Sequence, residues 1–282
     1  NLLIVFSLLL TTVASAAAQD DYTPPSDQPG PAVDKLYFRA FDVDRAPLEL
    51  EAGSMDMYYF NLKIDAARQL RDNQKVRLIE APALTLSLIL NPAPAPEGQL
   101  NPFSILKVRQ AVQHLIDRQY IAREIYQGQA SPMYTPNSPT DYDYLTVFDI
   151  IQKANLNYDP EFARAEIKDA MEEAGAELTS DGWSFNGRPI RIKFIIRVED
   201  ERRTLGDLVS AALKDAGFQV SATYQPFAPA IQTVFTSDPQ QFDWHIYTEG
   251  WGKGSAMRYD AGSVNSYYAP WLGNMPGWQL TG

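Results

Sequence analysis

Residues 101–128 read NPFSILKVRQAVQHLIDRQYIAREIYQG, and this stretch decides the fold. Its apolar residues recur at i, i+3, i+4, i+7 and i+8, the spacing of one helix face, which predicts an amphipathic helix. These residues are Val108, Ala111, Val112, Leu115 and Ile116. Asn101 before Pro102 is a typical start signal for a helix. We therefore expect Val112 and Leu115 to lie in the core.

A second, shorter helix is predicted directly after the first. Asp117 can cap its start, Ile121 and Ile125 are its apolar positions, and Gly128 is its stop. Two amphipathic helices in succession are also found in many other α/β domains, so this pattern alone leaves the family open.

Length, net charge and cysteine content exclude several classes of function. A chain of 282 residues is long enough for one large or two ordinary domains. The net charge of −11 and the lack of a basic stripe argue against nucleic-acid binding, which needs clustered Lys and Arg. The chain has no cysteine, which excludes disulfides, thiolate catalysis and a cysteine-linked lipid anchor within this sequence.

The first residues predict export. Residues 2–10 are apolar and residues 14–18 offer small residues for cleavage, so residues 1–18 are typical of a secretory signal peptide. The alternative is an uncleaved anchor, for which the apolar run is slightly short. A basic leader and an initiator Met are missing, so we expect a sequence clipped at its start. Residues 19–33 are rich in Pro and Asp and predict a disordered linker.

Strand and helix patterns alternate along the rest of the chain, which indicates an α/β fold. In the first part, strands are expected at residues 36–41, 57–60, 76–80 and 84–90, with helices starting near Ala46 and Ala66. The proline-rich residues 91–96 form a stiff connector. We place a lobe boundary there, with residues 34–91 in a first lobe and residues 92–282 in a second.

The second part contains clearer signals. Asp159 before Pro160 predicts a helix start, and Asn186-Gly187 predicts a type I′ hairpin turn. Strands at residues 190–198 and 218–224 flank a helical pattern, which predicts a parallel βαβ unit. A last strand is expected at residues 242–248, with Trp244, Ile246 and Thr248 on one face.

Several of these segments together resemble extracellular solute-binding protein family 5, the oligopeptide, dipeptide and nickel receptors of ABC importers. The resemblance lies in residues 107–112 with Ile116-Asp117-Arg118, in residues 48–56, 88–91 and 158–175, and in Gly250-Trp251. It covers residues 36–254, without the long first-lobe segment that family members carry and without a return to that lobe. It implies a periplasmic-binding-protein-like type II fold, two lobes joined by a hinge, present here in part.

The resemblance also implies a function. An exported receptor would close on a peptide-like or other small solute and deliver it to an ABC permease, in the periplasm or at the outer face of the cytoplasmic membrane. It would act as a monomer without enzymatic activity or cofactor. The alternatives are a secreted carbohydrate-active hydrolase with a carboxylate pair, suggested by the acidic and aromatic content, and an adhesion protein, for which repeats are missing.

Motifs for catalysis are missing from the sequence, and His114 and His245 are too isolated to predict a metal site. Residues 243–278 are rich in aromatic residues, as expected of a solute cleft, although core packing is the alternative for any one of them. We expect Trp251 to be a cleft wall, with glycines beside it that allow a sharp bend after the strand. The predicted ligand-binding residues are Asn91, Tyr247, Glu249, Trp251, Tyr259 and Asp260.

One departure from the family pattern concerns the ligand's α-amino group. Peptide-binding members pair it with an Asp three positions after this Trp, where the present chain has Gly254. Glu249 or Asp260 would have to replace that Asp, so recognition of a free peptide in the usual family manner is not implied.

Overall fold

The computed structural model describes residues 33–81, 84–252, 259 and 261–269. The chain divides into two units, residues 1–41 and residues 42–282. The described part of the first unit, residues 33–41, contains no helix or strand. The predicted signal peptide, residues 19–32 of the predicted linker, and Asp260 lie outside the described residues.

Helices and strands alternate through the second unit. The helices are α1 (Ala46–Ala52), α2 (Ile64–Leu70), α3 (Leu106–Val112), α4 (Arg118–Tyr120), α5 (Tyr144–Ala154), α6 (Pro160–Glu173), α7 (Arg202–Asp215), α8 (Phe227–Thr236) and α9 (Ala261–Tyr268). The strands are β1 (Leu84–Leu90), β2 (Glu177–Thr179), β3 (Gly182–Phe185), β4 (Arg188–Pro189), β5 (Arg191–Arg197), β6 (Gln219–Gln225) and β7 (Ile246–Gly252). Within the described ranges, no helix is both long and apolar enough to cross a membrane.

Four of the strands form the main sheet, in the order β1-β7-β5-β6. β5 runs parallel to β6 and to β7, which confirms the predicted βαβ unit across α7. β1 pairs antiparallel with β7 along its whole length. The sheet thus includes β1, which ends at the proposed lobe boundary. β2, β3 and β4 form a separate antiparallel sheet, and positive φ at both Asn186 and Gly187 matches the predicted type I′ turn.

Residues 101–128 fold nearly as their pattern predicts. Asn101 accepts a hydrogen bond from the Phe103 N–H at 3.1 Å and starts a 3₁₀ turn before α3. Val112 and Leu115 are 3% and 4% exposed, so their prediction as core residues is confirmed. Asp117 accepts from the Tyr120 N–H at 2.8 Å, as expected of a cap.

The predicted apolar face of the second helix was wrong. After α4 the backbone widens into a π-helical turn over Ile121–Ile125. Its buried residue is Ala122, while Ile121 and Ile125 are only half-buried. An i→i+5 turn rotates successive side chains differently from an α-helix, so a period of 3.6 residues selects the wrong positions.

Two cores cover the two faces of the main sheet. On one face, α3, α6 and α7 pack against side chains of β5 and β7, among them Ile192, Phe194, Ile196 and Ile246. On the other, α8 packs a smaller cluster made of Ile89, Ile195, Ala230, Val234, Trp244 and Tyr247. The inner strands β5 and β7 are therefore mostly buried on both faces, whereas the edge strands β1 and β6 are mostly half-buried or exposed.

Three predicted strands are absent from the structure. Residues 36–41, 57–60 and 76–80 are described as irregular backbone. Tyr59 is 93% exposed and Ile79 is 79% exposed, so these segments bury little. Aromatic and β-branched residues favour a strand only where a neighbouring strand completes the hydrogen bonds and covers a face.

The last strand is displaced from its predicted position, because β7 starts four residues later than expected and continues to Gly252. A 3₁₀ turn at Pro239–Gln241 and a left-handed Phe242, with φ of 51°, hold the preceding backbone outside the sheet. Trp244 consequently packs with Tyr247 in the smaller core, and not on the face of Ile246 as the alternation predicted.

Candidate functional site

A large cavity lies beside the main sheet within the second unit. Its volume is about 1560 Å³. Its walls come from the irregular segments between residues 50 and 81, from β1, from residues 112–140 after α3, and from the start of α7. Trp251, Tyr267 and Tyr268 complete it.

Trp251 lies near the end of β7 and is fixed from two sides. Its indole Nε1 donates a hydrogen bond to the Ser87 hydroxyl on the adjacent strand β1, at 3.0 Å. Its ring centroid is 4.8 Å from that of Tyr267, with the planes tilted by 59°. All three side chains border the cavity. Since the indole is held by a hydrogen bond and a ring contact, it offers a pre-formed aromatic surface to a bound molecule.

Glu249 lies two residues earlier on β7 and is 4% exposed. One carboxylate oxygen accepts from the Gly250 N–H at 2.6 Å, and the other, Oε2, has no hydrogen-bond partner. Burial raises the pKa of this carboxyl above its ordinary value, against the opposing effects of that hydrogen bond and of the Arg197 and Arg202 charges. Glu249 does not border the cavity and lies in the interior behind Trp251.

Tyr247 is also interior and belongs to a buried polar group. Its hydroxyl accepts from Arg197 Nη1 at 3.0 Å, and Arg197 Nε donates to Glu199 at 2.8 Å. Its ring meets Phe235 edge-on, with the centroids 6.4 Å apart. Burial raises the pKa of Tyr247, which keeps the phenol neutral. These contacts stabilise β7 rather than face a solute.

Gly250 has a role that differs from the expected bend. β7 stays paired with β1 through Gly252, opposite Leu84, so the backbone does not turn sharply there. A Cβ at Gly250 would come within 2.8 Å of Arg202 Nη1. Arg202 is itself held by two hydrogen bonds of 2.7 Å to the Asp200 carboxylate. A side chain at this position would have to displace that guanidinium, so the close packing of a buried arginine against the strand favours glycine here.

Asn91 is fully buried, and its amide is used by the backbone. Nδ2 donates to the carbonyl oxygens of Pro239 and Trp244 at 2.9 and 3.1 Å, and Oδ1 accepts from the Ala93 N–H at 3.0 Å. Every hydrogen-bonding atom of the side chain is engaged in these bonds, so we do not retain Asn91 among the proposed solute contacts.

Tyr259 is 75% exposed and packs beside Tyr142, with the ring centroids 5.3 Å apart. Among the five predicted site residues that the structure describes, only Trp251 borders the cavity. Asp260, the sixth, is outside the described residues. Sequence reasoning missed Ser87, although a polar residue within the apolar strand LTLSLIL is a signal that could have indicated it.

Neither histidine is placed for metal binding. His114 Nδ1 lies 2.8 Å from the carbonyl oxygen of Asn157. His245 Nδ1 accepts from the Lys193 N–H at 3.2 Å, and burial lowers the pKa of this imidazole to about 4, so it is neutral at physiological pH. Across the ranges that the structure describes, no three His, Cys, Asp or Glu side chains are grouped closely enough to hold a metal ion.

The sequence is similar to a known protein family and to several of its characterised members. The family model described as bacterial extracellular solute-binding proteins, family 5 Middle, matches residues 12–270. The heme-binding protein A of Haemophilus influenzae is 32% identical over 135 residues, which are 48% of this chain and 22% of that protein. The oligopeptide-binding protein AppA of Bacillus subtilis is 21% identical over 238 residues, or 83% of this chain and 40% of that protein.

Solved structures agree at the level of the fold. The mannohexaose-bound periplasmic oligopeptide-binding protein of Thermotoga maritima has a TM-score of 0.62 at 15% identity, over 84% of this chain and 45% of that one. The prediction of an α/β, type II periplasmic-binding-protein fold is confirmed for the part of that fold that the chain covers. The chain spans 22% and 40% of the lengths of the two curated relatives.

Proposed function

This chain belongs to family 5 of the bacterial extracellular solute-binding proteins, and from that membership we propose that it is the exported substrate-binding component of an ABC importer. It holds a peptide-like solute in the cavity beside Trp251 and delivers it to a membrane permease. Family 5 consists of non-enzymatic receptors, which leaves the alternative of a carbohydrate-active hydrolase without support.

The observation that supports this function most directly is the fixed aromatic wall on a large cavity. Trp251, Tyr267 and Ser87 border a space of about 1560 Å³, which exceeds the roughly 300–1,000 Å³ of ordinary small-molecule pockets. A space of that size accommodates an oligopeptide. Trp251 lies at the carboxyl end of its strand, where ligands of α/β sheets gather.

The names of the relatives define the solutes to be tested. They include an oligopeptide-binding protein, a heme-binding protein and an oligopeptide-binding protein that was crystallised with mannohexaose. We expect a peptide because the aromatic rings of Trp251 and Tyr267 suit apolar side chains. Hinge closure of two lobes on the solute would then present the closed form to the permease.

Substitution of Trp251 tests the site. The purified protein is screened with a peptide library by thermal shift, and the best ligand is measured by calorimetry against wild type, Trp251→Ala and Trp251→Phe. We expect Trp251→Ala to weaken binding by roughly tenfold to a thousandfold, since an indole against a ligand contributes a few kcal/mol. Trp251→Phe should lose less because it retains an aromatic face.

The matched control is Tyr158→Ala, which removes a half-exposed aromatic ring that does not border the cavity. It should bind with wild-type affinity. If Trp251→Ala folds and binds as tightly as wild type, the solute lies elsewhere. If Trp251→Ala unfolds the protein, the indole is a core residue and not a solute contact.

A further inference from the structure

Arg118, the first residue of α4, borders the cavity at the signature helix pair. Its Nη1 donates to the backbone oxygen of Gln113 at 2.8 Å, and its Nη2 donates to the side-chain oxygen of the same residue. Its guanidinium carbon lies 5.2 Å from the ring centroid of Tyr134, which also borders the cavity. The plane of the guanidinium is therefore fixed by a hydrogen-bonded residue and by an aromatic face.

What Arg118 lacks is an ionic partner. The two most buried arginines of the described chain each have one: Arg197 pairs with Glu199 at 2.8 Å and Arg202 with Asp200 at 2.7 Å. No carboxylate pairs with Arg118 anywhere in the described ranges, and burial lowers its pKa against the opposing effect of the Tyr134 phenol. A charge taken out of water is normally paired, so this half-buried guanidinium is free to pair with an anion from outside the chain.

The charges of the surrounding cavity wall also favour an anionic ligand. The chain as a whole has 24 basic and 35 acidic residues. Among the side chains that border the cavity, the basic ones outnumber the acidic ones: they are Arg68, Arg71, Lys75, Arg77 and Arg118 against Asp56, Glu80, Asp200 and Glu201. Two ion pairs reduce this count: Glu80 pairs with Arg71, and Asp200 pairs with Arg202, which does not border the cavity, so four basic side chains remain against two acidic ones.

We propose that Arg118 anchors a carboxylate of the solute, with the apolar part of the solute against Trp251. This inference rests on the proposed function and specifies the charge of the solute. A guanidinium has five N–H donors, of which the bonds to Gln113 use two, so three remain for the planar, two-oxygen geometry of a carboxylate. The free C-terminus of a peptide supplies that group.

The test compares trileucine with its C-terminal amide, two probes that differ only in the carboxylate. Calorimetry is run on wild type, Arg118→Gln, Arg118→Lys and a control, Arg109→Gln. Arg109 is the matched arginine: it also donates to a backbone oxygen, that of Phe103, at 2.6 Å, and burial also lowers its pKa, but it does not border the cavity.

We expect wild type and Arg109→Gln to bind the acid at least tenfold more tightly than the amide. Arg118→Gln should bind the two probes alike, and Arg118→Lys should retain part of the preference because it keeps the charge. Equal binding of both probes by wild type overturns the proposal that Arg118 anchors a carboxylate, but not the proposed solute-binding function. A preference that survives in Arg118→Gln also overturns it. Failure of wild type to bind either probe, or any peptide of the library, rejects the proposed function together with the anchor.

If Arg118→Gln does not fold, as judged by circular dichroism, the comparison of acid and amide on wild type still decides the question, because it needs no variant. If Arg118→Lys weakens the binding of the acid and of the amide equally, Arg118 only positions the helix pair, and the carboxylate anchor is overturned.

Discussion

Glu249 shows how a single residue of the site-bearing strand responds to pH. Burial raises its pKa in the folded protein above the 4.5 of an exposed glutamate. At a pH between the unfolded pKa and the raised folded pKa, the folded protein holds a proton on Glu249 that the unfolded chain has released. The stability that Glu249 contributes is therefore complete at acidic pH and is lost as the pH rises through that window.

We predict that Glu249→Gln flattens this dependence. A glutamine can still accept the hydrogen bond of the Gly250 N–H, but it has no charge to desolvate. The midpoint of thermal unfolding, followed by circular dichroism without solute, should decline less between pH 4.5 and neutral pH than in wild type. Glu97→Gln, which changes an exposed glutamate, is the control and should follow wild type. A steeper decline in Glu249→Gln would mean that the arginine charges outweigh burial.

Gly250 allows a second prediction at the scale of one residue. Alanine there would place a methyl group 2.8 Å from Arg202 Nη1, and Asp200 holds that guanidinium in place. Overpacking of this kind costs about 1–3 kcal/mol, which urea unfolding can measure. Gly252→Ala is the matched control, because a Cβ at Gly252 meets no atom of the residues that the structure describes within 4 Å. Equal losses in both variants would refute the close-approach explanation.

At the scale of an element, α3 is the helix on which the larger core depends. Val112 faces that core with Val108 and Ala111, whereas Gln110 on the same helix is exposed. We predict that Val112→Asp lowers the stability by roughly 3 kcal/mol or more, since it buries an unpaired charge. Soluble expression and the thermal midpoint should both fall, while Gln110→Asp should change neither by much. An unaltered midpoint in Val112→Asp would place the core on another face.

Elements with local signals were predictable from the sequence. Asp159 accepts from the Phe162 N–H at 3.0 Å as a cap, and Asn186-Gly187 forms its turn, because both depend on residues within a few positions of each other. The absence of the three predicted strands before β1 could not be foreseen from local sequence, because a strand also needs a partner strand. The start of β7 was missed because the left-handed backbone of Phe242 is not a property of that residue type.

The candidate site was predictable only in part, for the same reason. Trp251 could be named from a glycine-tryptophan pattern and a family resemblance. Its hydrogen-bond partner Ser87 lies 164 positions earlier, and although a polar residue in an apolar strand is a local signal, it does not indicate which distant residue it bonds. Glu249 and Tyr247 were named for their proximity to Trp251 along the strand, yet both are buried, and Tyr247 bonds to Arg197 in the interior.

At the scale of the molecule, Asn91 ties distant parts of the second unit together. Its Nδ2 bonds reach residues 148 and 153 positions away, Pro239 and Trp244, and its backbone oxygen accepts from Asn101 at 2.8 Å. The end of β1, the start of the signature helices and the approach to β7 therefore meet at one buried amide. The expected role in solute binding gives way to one that fixes the frame around the cavity.

The position of β7 between β1 and β5 has a consequence for the order of folding. Both neighbours are synthesised before it, and β5 can pair with β6 once α7 and β6 have been made. β1 has to wait for a strand that is far away in the chain, and closing so long a loop is slow. Until β7 inserts, two strand edges stay open to other chains and Trp251 has no indole partner on β1. Completion of the sheet is therefore also the step that brings the Trp251 indole to its hydrogen-bond partner Ser87.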